Sequence, residues 1–495
     1  MIVPMSTRIS PGIARQPPIT ARTVLLLGGV FVTTYDFFSV NISLPALARH
    51  LGATPAQLQW IVAAYGLCFG SALLAGSRLA EVWGAWQAFR RGMLAFAATT
   101  LAAGLVADAQ ALIACRALQG LAAAMLSSQV LTLLAQAPDP IQRQRGFVGY
   151  GIALGLGPAV GQLVAGLAIE YDPWQAGWRL PFLVNALSAL LIGLSLRAPG
   201  GPPAARARLD WAGVAVLCAS TGALVLPLIE GRRLHWPAWL LLSALAGAIG
   251  VAWVWRGSTL AAKDARAPGS ERIGDESAAS TAGAARAPTR LPLIDPAALG
   301  RPGFPLALVT VLMFYSINAS FYLILSLTMS AHYGLRPLAA TAVFTVLVAA
   351  FLVPTLLAQP IRSRFGSRSM TVGCLILAAG HGWLGFALSG GASLAALLAP
   401  LVVTGLAIGL VMAPLIAAAV AVGGGGSGVS GLTGSAQWIG NAVGAAALGS
   451  LYATLGGSGL QDAALAEAWV HAVCAAVALG VGALLGRWMP DSAKQ

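Results

Sequence analysis

The stretch Gly149-Tyr-Gly-Ile-Ala-Leu-Gly-Leu-Gly-Pro-Ala-Val-Gly161 lies inside a long apolar run. Gly151 and Gly155 are four residues apart, and so are Gly157 and Gly161. On a helix each pair presents a bare stripe on which a neighbouring backbone can approach closely. Pro158 has no N–H, so the bond to the carbonyl of Leu154 is missing and the helix is free to bend there. The reading is a tightly packed, pliable membrane helix. It suits a machine that moves, and it equally suits an ordinary packing helix.

Working outward, the composition decides the class. Hydrophobic residues make up 58% of the 495 and charged residues 9%, and the mean hydropathy is +0.79. Soluble domains carry roughly a quarter charged residues. Fourteen apolar segments approach the ~20 residues that a membrane span needs, the first near 22–46 and the last near 468–487. The expected fold is an all-α polytopic membrane protein.

The segments divide unequally. Residues 1–21 lack an apolar region followed by a small-residue cleavage site, so they read as a cytoplasmic tail rather than a cleaved signal. Residues 22–197 hold six spans, 210–256 an extra pair, and 303–487 six more; 488–495 form a second cytoplasmic tail. Residues 257–302 are rich in Ala, Gly, Ser, Arg and Pro and read as a disordered cytoplasmic linker. Two six-helix bundles with a central insertion fit a transporter with a cavity between the bundles. With both ends inside, and the linker set aside, sixteen basic residues fall in cytoplasmic segments and five outside, as the positive-inside rule requires. The net charge of +13 therefore reflects basic loops rather than a nucleic-acid surface.

Few polar groups lie inside these spans. Asp36 sits in Tyr35-Asp-Phe-Phe-Ser-Val-Asn41. An ionisable group in the bilayer is costly unless it faces a cavity or a partner, and removal from water favours the neutral form of a carboxyl group. Asp36 is thus a candidate for proton coupling or cation binding, or a structural acid paired with a neighbour. Asn41 lies near the same face, as a cavity group or an interhelical hydrogen bond. Arg116 is the one base placed inside a span; it cannot deprotonate and needs a partner. Gln119 follows one turn later on the same face, as a further candidate for the cavity wall. The loop Gly76-Ser-Arg-Leu-Ala-Glu81-Val-Trp-Gly84 reads as a gating latch or as an ordinary turn.

In the second half no acid falls inside an expected span. The candidates for the cavity wall are Tyr315, Asn318, Tyr322, Gln437 and Asn441, with Ser320 beside them. His381 reads as a lone packing histidine. Trp83, Trp86, Trp174, Trp178, Trp236 and Trp239 lie near span ends and suit an interfacial belt. The five cysteines form no CxxC and read as small packing residues. The glycines from Gly423 to Gly428 spell GxGxxG, but no strand precedes them, so a dinucleotide site is rejected. GxxxxGK[ST], HExxH and GxSxG are absent. No enzyme, cofactor or metal centre is expected.

Taken together, the chain resembles the fourteen-span drug:proton antiporters of the major facilitator superfamily over nearly all of residues 22–487. The motifs are Asp36 with Val40-Asn41 and Leu44-Pro45; Arg116-x-x-Gln119-Gly120; Gly157-Pro158-x-x-Gly161; Trp178-Arg179 with Phe182-Leu183 and Asn185; and Asp210-Trp211-x-Gly213. The resemblance implies two six-helix bundles plus the extra pair, in the cytoplasmic membrane. It implies alternating access driven by protons and export of hydrophobic, often cationic compounds. It makes Asp36 the protonation site, Arg116 its electrostatic modulator, and Gly151, Gly155, Gly157, Pro158 and Gly161 the antiporter helix. The partners are then a small molecule, protons and lipid, with a monomer as the working unit and no nucleic acid. Two departures stand out. The loop after the second span has Glu81 where the family has Asp, with Val82 and Ala85-Trp86 in place of the following bases. The related loop at Arg362–Arg368 has Ser363 where an acid is expected. The rival readings are a transporter of a specific metabolite or siderophore, and a non-transporting receptor or scaffold.

Overall fold

The computed structural model describes residues 20–172, 177–196, 211–231, 233–265, 296–366, 368–425, 427–455 and 460–488. Every regular element among them is a helix. In the first half these are α1 (Ala21–Leu51), α2 (Pro55–Trp83), α3 (Ala85–Leu105), α4 (Ala109–Ala135), α5 (Pro140–Tyr171) and α6 (Leu180–Ser195). Then come α7 (Trp211–Glu230), α8 (Ala238–Ala265) and the short α9 (Pro296–Leu299). The second half holds α10 (Phe304–Ala331), α11 (Pro337–Leu356), α12 (Ala358–Phe365), α13 (Arg368–Ser389), α14 (Leu394–Val422), α15 (Ser427–Leu455) and α16 (Leu460–Trp488).

Local chemistry sets the ends. Asp108 caps α4 by accepting from the Ala111 N–H at 2.9 Å, and Asp139 caps α5 through the Ile141 N–H at 3.0 Å. Gly52 ends α1 at φ 60°, a left-handed turn that glycine takes without cost. Pro158 does not end α5, which runs unbroken from Pro140 to Tyr171.

Eleven of the described helices are long and apolar enough to cross a membrane. α6 is apolar but only 16 residues long. α3 and α15 stand where two more spans are expected but fall short of the same measure. α3 carries Arg90 and Arg91 in its first turns, and α15 is built largely from Gly, Ser and Ala. The chain is a multi-pass membrane protein.

α1–α6 pack on one another around one apolar core, and α10, α11 and α13–α16 around a second. The two groups meet along α2 with α15 and α5 with α11, with α1 facing α10. Contacts close this seam at both ends. At the end where α1 finishes, Glu170 of α5 pairs with Arg336 at 3.0 Å. At the end where α2 finishes, Leu73 and Leu74 lie against Gly434 and Gly431 of α15.

The extra pair is asymmetric. α7 lies on both α2 and α15: Val225 and Ile229 share an apolar cluster with Ala63, Leu67, Ala442 and Ala446. Ser71 and Thr221 are hydrogen-bonded at 2.9 Å, and the Trp60 indole donates to Glu230 at 3.2 Å. α8 packs on α7 and leaves Leu241, Leu242, Leu245, Ile249 and Trp253 exposed, a face that suits lipid. It runs to Ala265, past the expected boundary at 256. Residues 266–295, the bulk of the expected linker, lie outside the described residues, as do the two tails up to 19 and from 489. Arg301 donates to the Gly423 carbonyl and so ties the start of α10 to the end of α14.

Candidate functional site

Asp36 is buried near the middle of α1. Two helices of the first bundle, α4 and α6, meet its carboxylate directly, and α2 and α3 hold the α4 groups that do so. Arg116 of α4 donates from Nη1 to Oδ2 in an ion pair. Gln119, one turn on, donates from Nε2 to Oδ1 at 3.1 Å and to Thr100 of α3 at 2.9 Å. Asn185 of α6 donates to the Val32 carbonyl at 3.1 Å and reaches Oδ1 at 3.4 Å. The Arg116 guanidinium also donates from Nε to the Ile61 carbonyl at 3.1 Å and from Nη1 to the Gln119 side-chain oxygen at 3.1 Å. It lies 4.3 Å from the Tyr65 ring centre of α2. A buried pair offsets the cost of leaving water only when such extra bonds are made. One donor, Arg116 Nη2, remains without a partner among the described residues.

Asp36 and Arg116 are therefore brought together. Gln119, expected on a cavity wall, instead holds the Asp36 carboxylate. Asn185 entered the sequence reading only as part of a motif, and Thr100 carried no signal.

The glycine stripe divides by face. A side chain at Gly157 would run into Thr34 and the Phe31 carbonyl, and one at Gly161 into the Tyr35 backbone. Here α5 lies backbone-close on α1, directly beside Asp36. Gly155 faces Leu352 and Phe351 of α11. Gly151 has open space around it, so the expected close approach does not extend to that position. Gly166, not singled out beforehand, abuts Thr341 of α11. One helix thus touches the acid's own helix and the second bundle.

The seam between bundles is aromatic. Trp438 of α15 stacks on Phe69 of α2 at 4.2 Å between centroids, with Phe37 and Tyr65 edge-on at 5.2 and 5.6 Å. Tyr322 of α10 meets Phe38 edge-on at 4.9 Å and stacks on Phe344 at 6.0 Å. Asn41 donates to the Phe37 carbonyl at 3.2 Å, and its own carbonyl accepts from Ser326 of α10. Tyr315 is buried edge-on to Phe314, and Asn318 donates to the Phe314 carbonyl at 2.8 Å. Asn441 is buried, while Gln437 is half-buried beside the seam-filling Trp438. Among the expected wall residues, Tyr322 and Asn41 meet the opposite bundle directly.

Of the loop candidates, Gly76 packs its backbone on Ala124 and gives its carbonyl to Gln129 of α4 at 2.6 Å. Gly84 separates α2 from α3 at φ 77°. The Glu81 side chain lies outside the described residues. Two expectations need correction. The second bundle does hold a buried acid: Glu467 of α16 is fully buried and accepts from Thr328 at 2.7 Å. The expected span began at 468, whereas the helix begins at Leu460. Nor is His381 alone, for its Nδ1 lies 3.1 Å from that of His471. Trp178 is buried against Phe182, and Trp174 lies outside the described residues. No cluster of metal-ligating side chains occurs among the described residues.

Residues 26–445 match the sequence profile of the Major Facilitator Superfamily. A probable actinorhodin transporter of Streptomyces coelicolor is 30% identical over 462 residues, covering 90% of this chain and 75% of that protein. The puromycin resistance protein of Streptomyces alboniger is 37% identical over 212 residues, 42% of this chain and 41% of that one. Among solved structures, the xylose transporter of E. coli superposes with a TM-score of 0.63 at 14% identity, over 95% of this chain and 99% of that one.

Proposed function

The chain belongs to the major facilitator superfamily of membrane transporters, and on that premise we propose that it is a proton-coupled antiporter. It exports hydrophobic small molecules, cationic ones among them, across the cytoplasmic membrane by alternating access. It works as a monomer with both termini in the cytoplasm. The antibiotic resistance protein among its relatives supports the direction of transport.

The single observation that carries the coupling is the buried Asp36–Arg116 pair beside the α1–α5 contact. Protonating Asp36 cancels the charge that holds Arg116. The guanidinium keeps the Ile61 carbonyl, Gln119 and the Tyr65 face, so the change loosens α1 without unfolding the bundle. α1 then shifts against α5 at Gly157 and Gly161, and α5 carries the shift to α11 through Gly155 and Gly166. The substrate sits in the aromatic seam, where Trp438, Phe69, Phe38 and Tyr322 offer flat apolar faces. A cationic substrate competes with Arg116 for the same carboxylate, which links its binding to proton release.

The test uses everted membrane vesicles with an acidified lumen and a pH-sensitive dye. A panel of lipophilic cations and neutral aromatic antibiotics is added in turn. Proton release by some members of the panel is the expected result. No release by any of them, with the protein shown to be inserted, would defeat the proposal.

A further inference from the structure

Glu467 plays no part in the Asp36 network. It is fully buried on α16. Its Oε1 accepts from Thr328 of α10, while Oε2 has no partner among the described residues. No Lys or Arg pairs with it among those residues. Asp36, in contrast, is met by a guanidinium and two amides. An ionised carboxylate with a bare oxygen and no Lys or Arg partner is a costly form of this side chain in a membrane. The neutral acid removes that charge.

The groups around it are themselves titratable. One turn along α16, His471 pairs with His381 of α13 at 3.1 Å, and His381 leaves Nε2 unpartnered among the described residues. Phe321 of α10 lies edge-on to both rings. On the other side, His332 just past α10 is near enough to act on the Glu467 charge, and its Nδ1 is likewise buried without a partner among those residues. Tyr333 and, from α15, Tyr452 complete the surroundings. These groups form a line from the end of α10 towards the middle of the second bundle.

We infer that Glu467 is a second proton-binding site, built into the second bundle apart from Asp36, and that it is loaded when the seam is closed. His332 lies on the side of the bundle end, and the His471–His381 pair lies inward. The inference deepens the proton-coupled reading, but the occupancy of this site is measured without any transport substrate.

The experiment is an infrared pH titration of the purified, reconstituted protein, following the C=O stretch of protonated carboxyl groups. A band that titrates is expected in the native protein. It should vanish in Glu467→Gln, survive in Asp36→Asn, and return at a displaced frequency in Glu467→Asp, which also shows that the site still folds. A band unchanged in Glu467→Gln, or one abolished by Asp36→Asn instead, would overturn the assignment. Should Asp36→Asn keep full proton-driven export, the coupling proposal fails while the Glu467 result stands on its own.

Discussion

The two bundles solve the same problem in opposite ways. Among the described residues, each buries one carboxyl group. The first gives Asp36 a cation, two amides and a neighbouring backbone contact; the second gives Glu467 one hydroxyl, with histidine and tyrosine rings around it. The first arrangement ties its carboxylate to an arginine. The second offers its carboxyl group no arginine among the described residues. On the proposed reading, burial alone does not define a coupling acid. What matters is whether losing the charge releases another group, and in the first bundle that group is Arg116, which also bonds to α2.

The strongest way to break the comparison is to remove the cation. Arg116→Leu leaves the Asp36 charge buried with amides only, and breaking a buried pair costs about 3–5 kcal/mol. Thermal unfolding in detergent should show this loss, and adding Asp36→Asn to the same protein should recover part of it. If the single variant is as stable as the native protein, the pair does not hold the first bundle. Next in size is the glycine contact. Gly161→Leu drives a side chain into the Tyr35 backbone, and overpacking of this kind costs about 1–3 kcal/mol. Gly151→Ala, in open space, should change neither stability nor transport. Equal effects at the two positions would contradict the division of the stripe.

In the second bundle, Thr328→Val removes the hydroxyl bonded to Glu467 and should cost about 1–3 kcal/mol, the price of a buried polar group left unsatisfied. The smallest effect is expected at Asn185→Ala. Its bonds to Val32 and Asp36 are ordinary or long, so about 0.5–1.5 kcal/mol is at stake. A larger loss there than at Thr328 would reverse the ranking of the two sites.

Much of this was legible in the sequence, for a physical reason. A polar residue in an apolar run stands out, so Asp36, Arg116 and Gln119 were found, and apolar runs of span length located the long helices. Other parts depend on contacts distant in sequence. His471 is 90 residues from His381, and nothing local marks the pairing. Thr100 is a residue that bonds to its own helix as readily as to another. Gln437 stands out in sequence because it is polar, yet successive helix residues point about 100° apart and the neighbouring Trp438 faces the seam. Glu467 was missed by one residue, because hydropathy places a span end less sharply than helix geometry does. The place of α7 across both bundles has no sequence signature, since its apolar pattern suits lipid and protein alike.

The most direct test of the coupling is a pair of assays on Asp36→Asn in proteoliposomes, with a compound selected from the vesicle panel. Exchange of labelled for unlabelled compound at equal pH needs only alternating access; accumulation driven by a pH difference also needs the proton site. The variant is expected to keep exchange and lose pH-driven accumulation. Accumulation at the native level would show that the proton does not travel through Asp36.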